Sequence, residues 1–574
     1  QALQQGVTAH KEGKLEEAER LYRAILQSLP LHPDANHNLG LIAISVNQIE
    51  AALLLFKTAL DVNSNIEQFW MSYIDALVKN NQLKDAKRAI KKAKKKGFDA
   101  KKLQALFSQS KGVTDTKVPS QELLNSLLEQ YQNGRLSETE KLAVSVTQEF
   151  PQHPFGWKVL GAVLVQIGRK SEAVDANQTV VELSPQDAEA HYNLGNTLQV
   201  LGILDEAEVS YRQAIALKPD YAKAHSNLGV MLQELGRLDS AIVSLKQAVK
   251  IKPDYADALY NLSYPHLLRG RLEKGFNFYE SRLSQSKQPV TPARSNLTWD
   301  GEKSLSGKHF VIYEEQGLGD IIQFCRYLPL LEQKGANVTF KVKPNLHALL
   351  QTMDSNSRLV TSLPQESEID FETPLMSVPH LLNTSLETIP ATNPYLFANQ
   401  EKIQTWGKRV SMDRFKVGIC WQGNKSNKMD VGRSFPLSLF EGISRIPNVE
   451  LISLHKGEGE AQIVSIDFDV TTLGHDFDAG QDAFLDTAAV MMNCNLIITS
   501  DTAIAHLAGA IGRPTWVALK QIPDWRWMLN RSDSPWYPMM TLYRQKFRGD
   551  WVDVFETIER DLRSLLQQKR KRNE

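Results

Sequence analysis

The chain has little cysteine. Only Cys325, Cys420 and Cys494 occur in 574 residues, far apart, the first two beside apolar neighbours. That spacing argues against a disulfide framework or a cysteine zinc site and predicts buried free thiols in a reducing compartment. Net charge is missing too: 66 Lys and Arg balance 66 Asp and Glu. The balance argues against a protein held to nucleic acid by bulk charge. No run of about 18 apolar residues exists, so no membrane span is expected. Gln1 to Lys14 shows no apolar core of a secretory signal. The expectation is a cytoplasmic chain of several domains.

What the first half does have is a period. Pro151, Pro185, Pro219 and Pro253 are spaced by 34 residues, as are Gly168, Gly202, Gly236 and Gly270. Gly161, Gly195 and Gly229 keep the interval, each after a leucine. This register resembles the tetratricopeptide (TPR) repeat, a pair of antiparallel helices whose apolar faces are buried only by stacking. Residues 1–100 read as N-terminal repeats, 101–119 as a break, 120–284 as further repeats and 285–300 as a linker. The basic run Lys91–Lys96 reads as a solvated helix face. Asn38, Asn193, Asn227 and Asn261 precede the Leu-Gly pair or its equivalent. A column of amides lining a concave surface suits an extended peptide backbone. Hydrogen bonding between helices is the alternative. The column resembles the asparagine ladder of the eukaryotic protein O-GlcNAc transferases.

The second half alternates strands and helices. His309–Tyr313 reads as a strand, followed by Gln316-Gly-Leu-Gly-Asp320 and a helix. Further strands are expected at Val338–Val342 and Arg358–Ser362, with a helix at Leu346–Met353 between them. A second start comes at Lys416–Trp421, with the turn Gln422-Gly-Asn424. A helix at Leu437–Ile443, a strand at Val449–Leu454 and a helix at Ala483–Met491 follow. Asn495–Trp516 then reads as strand, sharp turn, helix and new strand. Such turns place backbone N–H groups at the carboxyl ends of strands, where open α/β sheets bind phosphate-bearing ligands. Asp501 has the plainer reading of a helix cap.

Two Rossmann-like lobes, 301–400 and 408–545, with a final helix at 551–571 packing back across them, resemble the GT-B glycosyltransferases. The expected fold is therefore an α-helical TPR superhelix followed by an α/β GT-B fold. Gln316, Gly317, Gly319 and Asp320 are similar to the glycine-rich turn of heptosyltransferases, which ends in a catalytic aspartate. Asp501, Thr502, Ala503 and His506 are similar to that family's donor motif, with Ala503 where glycine is usual. Trp421, Gln422, Gly423, Asn424, Lys456, Trp525 and Arg526 fall in the same resemblance.

The residue chemistry agrees with those roles. Asp320 is a candidate base for an acceptor hydroxyl, or else a helix cap. Arg433 and Lys456 are candidate partners for a phosphate or sugar carboxylate, or else surface charges. Gly317 and Gly319 would allow a tight turn. His506 is a candidate for orienting the donor or a core hydrogen-bonder. Trp525 and Trp527 would wall a base or sugar, or simply pack. Asp467-Phe-Asp469 lies in an alternating segment and reads as structural.

The whole chain resembles bacterial TPR-linked glycosyltransferases, including those that modify flagellin. The resemblance implies transfer of a nonulosonic acid such as pseudaminic acid from a CMP-linked donor to Ser or Thr of a protein recruited by the repeats. It implies no metal ion and no cofactor beyond the nucleotide-sugar substrate. The alternatives are transfer to a glycan as in heptosyltransferases, an O-GlcNAc-type reaction with another nucleotide sugar, and a scaffold with a vestigial cleft.

Overall fold

The repeats follow from small residues placed where helices must meet. A Cβ on Gly195 would lie 2.8 Å from the ring of Tyr211, and one on Gly229 would lie 2.5 Å from Leu245. Glycine therefore lets the first helix of each pair close onto the second. Ala173, Ala207 and Ala241 are fully buried on the second helices. The other glycine series ends the first helices. Gly202 sits at φ +81°, the left-handed conformation that glycine adopts without a side-chain clash.

The computed structural model describes residues 2–11, 13–46, 48–80, 82–98, 118–285, 297–410, 413–424, 430–480 and 484–573. The chain divides into two compact units, Gln1–Leu183 and Ser184–Glu574. The first holds the helix pairs Ala2–Lys11 with Leu15–Ser28, Pro33–Ser45 with Ile49–Val62, Glu67–Lys79 with Leu83–Lys95, Gln121–Gln132 with Leu136–Glu149, and Pro154–Gln166 with Lys170–Leu183. The expected break at 101–119 lies outside the described residues except for 118 and 119.

The second unit opens with three more pairs: Ala188–Leu201 with Leu204–Leu217, Ala222–Glu234 with Leu238–Ile251, and Ala256–Leu268 with Leu272–Tyr279. Two parallel sheets follow. The first comprises β1 (His309–Tyr313), β2 (Asn337–Lys341), β3 (Arg358–Val360) and β4 (Phe371–Pro374), in the order β3-β2-β1-β4. The second comprises β5 (Phe415–Cys420), β6 (Val449–Ser453), β7 (Leu496–Ser500), β8 (Thr515–Leu519) and β9 (Met540–Arg544), in the order β6-β5-β7-β8-β9. Strand order reverses beside β1 in one sheet and between β5 and β7 in the other. Open α/β sheets bind ligands at such reversals.

Several expected boundaries shift. Of the expected linker at 285–300, only 285 and 297–300 are described, and the latter already belong to the first sheet's layer. The Glu372 N–H donates to Leu297 O at 2.8 Å, and buried Trp299 meets Phe310 edge-on at 5.4 Å. The helix Gln400–Gly407 packs on Leu485–Asn493, so the second lobe begins before 408. The helix expected at Leu346–Met353 is only His347–Leu350, entered through a 3-10 turn at Pro344–Leu346. The segment expected as a helix at Leu437–Ile443 starts as a 3-10 turn, Leu437–Phe440. The final helix, Val552–Asn573, packs on the second lobe, where Phe555 meets Phe435 and Phe440.

Candidate functional site

At the end of β7 the chain leaves the sheet through Asp501 and Thr502 and enters the helix Ala503–Ala510. Thr502 holds the N-cap position in extended conformation, and its side chain makes no capping bond. The helix therefore presents its first N–H groups, with the positive end of its dipole, beside Thr502. A cavity of about 750 Å³ lies there. Thr502, Ala503, Gln422, Gly423, Asn424 and Lys456 line it from the second lobe, and Leu318 and Asn345 from the first. The ammonium of Lys456 donates to the carbonyl of Phe477. Gln422 is fastened by its amide to Glu458 O at 3.0 Å. Cys420 also lines the cavity, 3.6 Å from Nδ1 of His455. Burial raises its thiol pKa to about 11, so it stays protonated at neutral pH.

Other candidates stand behind this wall. Trp421 is fully buried, stacked on His455 at 4.4 Å. Asp501, Arg433, Asp524, Arg526 and Asp320 form one chain of alternating charge. Arg433 lies 3.3 Å from Asp501 and 3.2 Å from Asp524. Arg526 donates to Asp524 at 2.8 Å and, with its other terminal nitrogen, to Asp320. Burial pushes the Asp501 carboxyl pKa up more than Arg433 pulls it down. Burial acts the same way on Asp524, but Arg526 and Arg433 outweigh it and hold the carboxyl below the ordinary range. Asp501 does not cap the helix, because Thr502 occupies the N-cap position.

Asp320 lies two residues past Leu318, at the start of the helix Leu318–Phe324. It accepts the Gly317 N–H at 2.8 Å, a helix-start bond, while its side chain remains 19% exposed. The turn before it is not made by glycine alone. Gln316 takes the left-handed conformation at φ +65°, and its amide reaches the Tyr279 hydroxyl. Gly319 instead serves helix packing. A Cβ there would lie 2.9 Å from the His506 ring and 3.4 Å from Cα of Ala503. The helix of Asp320 thus lies against the helix Ala503–Ala510. His506 stacks on Trp527 at 5.3 Å, and its Nδ1 lies 3.0 Å from the Tyr537 hydroxyl. Burial lowers its pKa to about 3, so it is neutral. Trp525 packs edge-on against Phe276 of the last repeat at 5.6 Å.

The asparagine column is half-buried. The amide of Asn227 donates to Tyr192 at 3.1 Å and to Asn196 at 2.7 Å, both one repeat earlier. The main-chain carbonyl of Asn261, not its side chain, accepts from the Gln233 amide at 2.7 Å. Between-repeat bonding is thus present at Asn227, while Asn38 and Asn193 keep half-buried places on first helices.

Two buried arginines escaped the sequence reading. Arg326 donates to Trp536 O at 2.6 Å, to the Tyr395 hydroxyl at 2.9 Å and to Gln323 O at 2.8 Å, clasping the two lobes. Arg282 pairs with Glu315 and Glu280, both at 2.6 Å, and ties the end of the last repeat to the turn after β1. For Arg326 the signal was there: one arginine inside the apolar stretch Phe324-Cys-Arg-Tyr-Leu.

Comparison with known proteins bears on these parts unequally. Models described as tetratricopeptide or TPR repeats match residues 3–61, 161–202, 188–221 and 231–264. The first part of the chain therefore carries TPR repeats, a protein-binding architecture. Protein FlbA of Caulobacter vibrioides is 25% identical over 327 residues, covering 52% of this chain and 54% of that protein. The chain thus spans about half the length of the curated relative it matches. Among solved structures, MamA is 23% identical, covers 27% of this chain and 91% of its own, and superposes with a TM-score of 0.26. YrrB, a TPR protein with an unusual peptide-binding site, is 21% identical, covers 42% of this chain and 96% of its own, and has a TM-score of 0.19. Among the described residues no helix is long and apolar enough to cross a membrane.

Proposed function

We propose that the chain is a protein O-glycosyltransferase of GT-B type. Its repeats recruit the acceptor, and its second lobe holds a nucleotide sugar. The observation that carries this reading is the cavity of about 750 Å³ at the switch point, where an N-terminus without a side-chain cap meets Lys456, Gln422 and Asn424. A helix N-terminus with an adjacent ammonium suits a phosphate. In the proposed reaction Asp320 takes the proton of an acceptor Ser or Thr hydroxyl. The hydroxyl oxygen bonds to the anomeric carbon as the bond from that carbon to the donor phosphate breaks. The nucleotide leaves with the electron pair. A positioned base of this kind contributes about 10²–10⁴-fold. The resemblance of the chain to flagellin-modifying enzymes supports a CMP-linked nonulosonic acid such as pseudaminic acid as donor and flagellin as acceptor.

The test is intact-mass spectrometry of flagellin incubated with the full chain and CMP-pseudaminic acid. The expected result is the added mass of the sugar, reduced by about 10²-fold or more in rate by Asp320→Asn. No mass gain with any nucleotide sugar would remove the reading.

A further inference from the structure

Arg526 was expected to contact the donor, but both of its terminal nitrogens are committed elsewhere. One terminal nitrogen donates to Asp524 at 2.8 Å and the other to Asp320. Its guanidinium lies 4.3 Å from the ring of Trp525, and the side chain is 9% exposed. The segment that carries it is fastened to the last repeat. The Tyr264 hydroxyl donates to Pro523 O, and the Leu529 N–H donates to Leu268 O at 3.0 Å. Trp525 itself stands edge-on to Phe276 at 5.6 Å and to Tyr279 at 6.3 Å. Asp320 in turn has one oxygen on the Gly317 N–H and the other on Arg526, which fixes both its position and its rotation.

We propose that Arg526 is a positioning residue for Asp320, holding the carboxylate in its working orientation while Trp525 and the last repeat hold Arg526. The inference rests on the glycosyl-transfer reading, in which Asp320 is the base. The planar guanidinium reaches two carboxylates at once, Asp524 to anchor it and Asp320 to be oriented, a geometry that lysine reproduces only in part. An arginine that binds the donor would act on donor affinity. An arginine that orients the base acts on turnover and only through the base.

The experiment is a mutant cycle on the full chain, with CMP-pseudaminic acid and flagellin as substrates. Arg526→Gln is expected to lower kcat at least about tenfold with donor KM within about twofold. In the Asp320→Asn background the same substitution is expected to cost nothing further, because the group it orients is gone. Arg526→Lys is expected to recover part of the loss, and it replaces the Gln variant in the cycle if that variant does not fold. Full multiplicative loss in the double variant would mean that Arg526 acts independently and would overturn the proposal. A rise in donor KM at unchanged kcat would do the same, and would make Arg526 a donor contact. No turnover by the parent chain removes the transfer reading and this inference with it. Normal parent turnover with multiplicative losses removes this inference alone.

Discussion

The repeats and the sheets solve the problem of burial in opposite ways. In the repeats, the contacts that matter span a few tens of residues. Gly195 meets Tyr211, and Asn227 meets Asn196 and Tyr192. The same small residues recur at one spacing, so each unit repeats its neighbour's solution. In the lobes, partners come from far apart: Arg526 and Asp320 are 206 residues apart, Arg326 and Trp536 are 210. A repeat array therefore offers a surface by repetition, while the lobes form a site by convergence. Damage should stay local in the first and spread in the second.

The sharpest break in that comparison should come at Arg326. Arg326→Ala leaves buried acceptors on Trp536, Tyr395 and Gln323 without their charged donor. The expected cost is more than about 3 kcal/mol. Urea unfolding followed by tryptophan fluorescence should show it, since Trp536 and Trp527 are buried in the lobes. Loss within the repeats instead would undo the contrast.

A local counterpart is Gly195→Leu. Its side chain must displace Tyr211, at an expected cost of about 1–3 kcal/mol. Circular dichroism should register the loss of helix, while nucleotide affinity stays unchanged. A parallel fall in affinity would show that the repeats and the cavity are not separable.

Acid should act through the lobes. The folded pKa of His506 is lowered to about 3 from an ordinary 6.5. Between those values the unfolded chain binds the extra proton and the folded chain does not. The stability associated with neutral His506 is thus present above pH 6.5 and is lost as pH falls toward 3. Differential scanning calorimetry should show a thermal midpoint that falls by roughly several degrees over that range. His506→Gln should flatten the fall, and an identical slope in the variant would assign it to other groups.

The smallest effect is expected at Asn227→Ala. It removes two between-repeat bonds that are only half-buried, at about 0.5 kcal/mol each. A calorimetric scan should detect the change with the lobes unaltered.

The same contrast explains what was legible in the sequence. The repeat register could be read because Gly195, Gly229 and the alanines recur at fixed spacing. The strands β1, β5 and β7 could be read as apolar runs with glycine-bearing or Asp-Thr turns behind them. β4 and β9 were missed because Glu372, Pro374 and Arg544 interrupt their apolar pattern. Candidate residues at the turns were located, but not what each faces. Arg433 and Arg526 were expected to face the donor; in the structure they are paired with aspartates. Gly319 looked like a turn glycine and instead lets two helices touch. Those roles depend on contacts up to 206 residues apart, which no local pattern encodes.

If the cavity beside Thr502 and Lys456 holds a nucleotide, calorimetric titration of cytidine 5′-monophosphate will register it. Binding to the full chain is expected, with affinity at least about tenfold weaker in Lys456→Ala because a charged phosphate partner is lost. Equal affinity in chain and variant, or no binding by cytidine, uridine, guanosine or adenosine nucleotides, would contradict it.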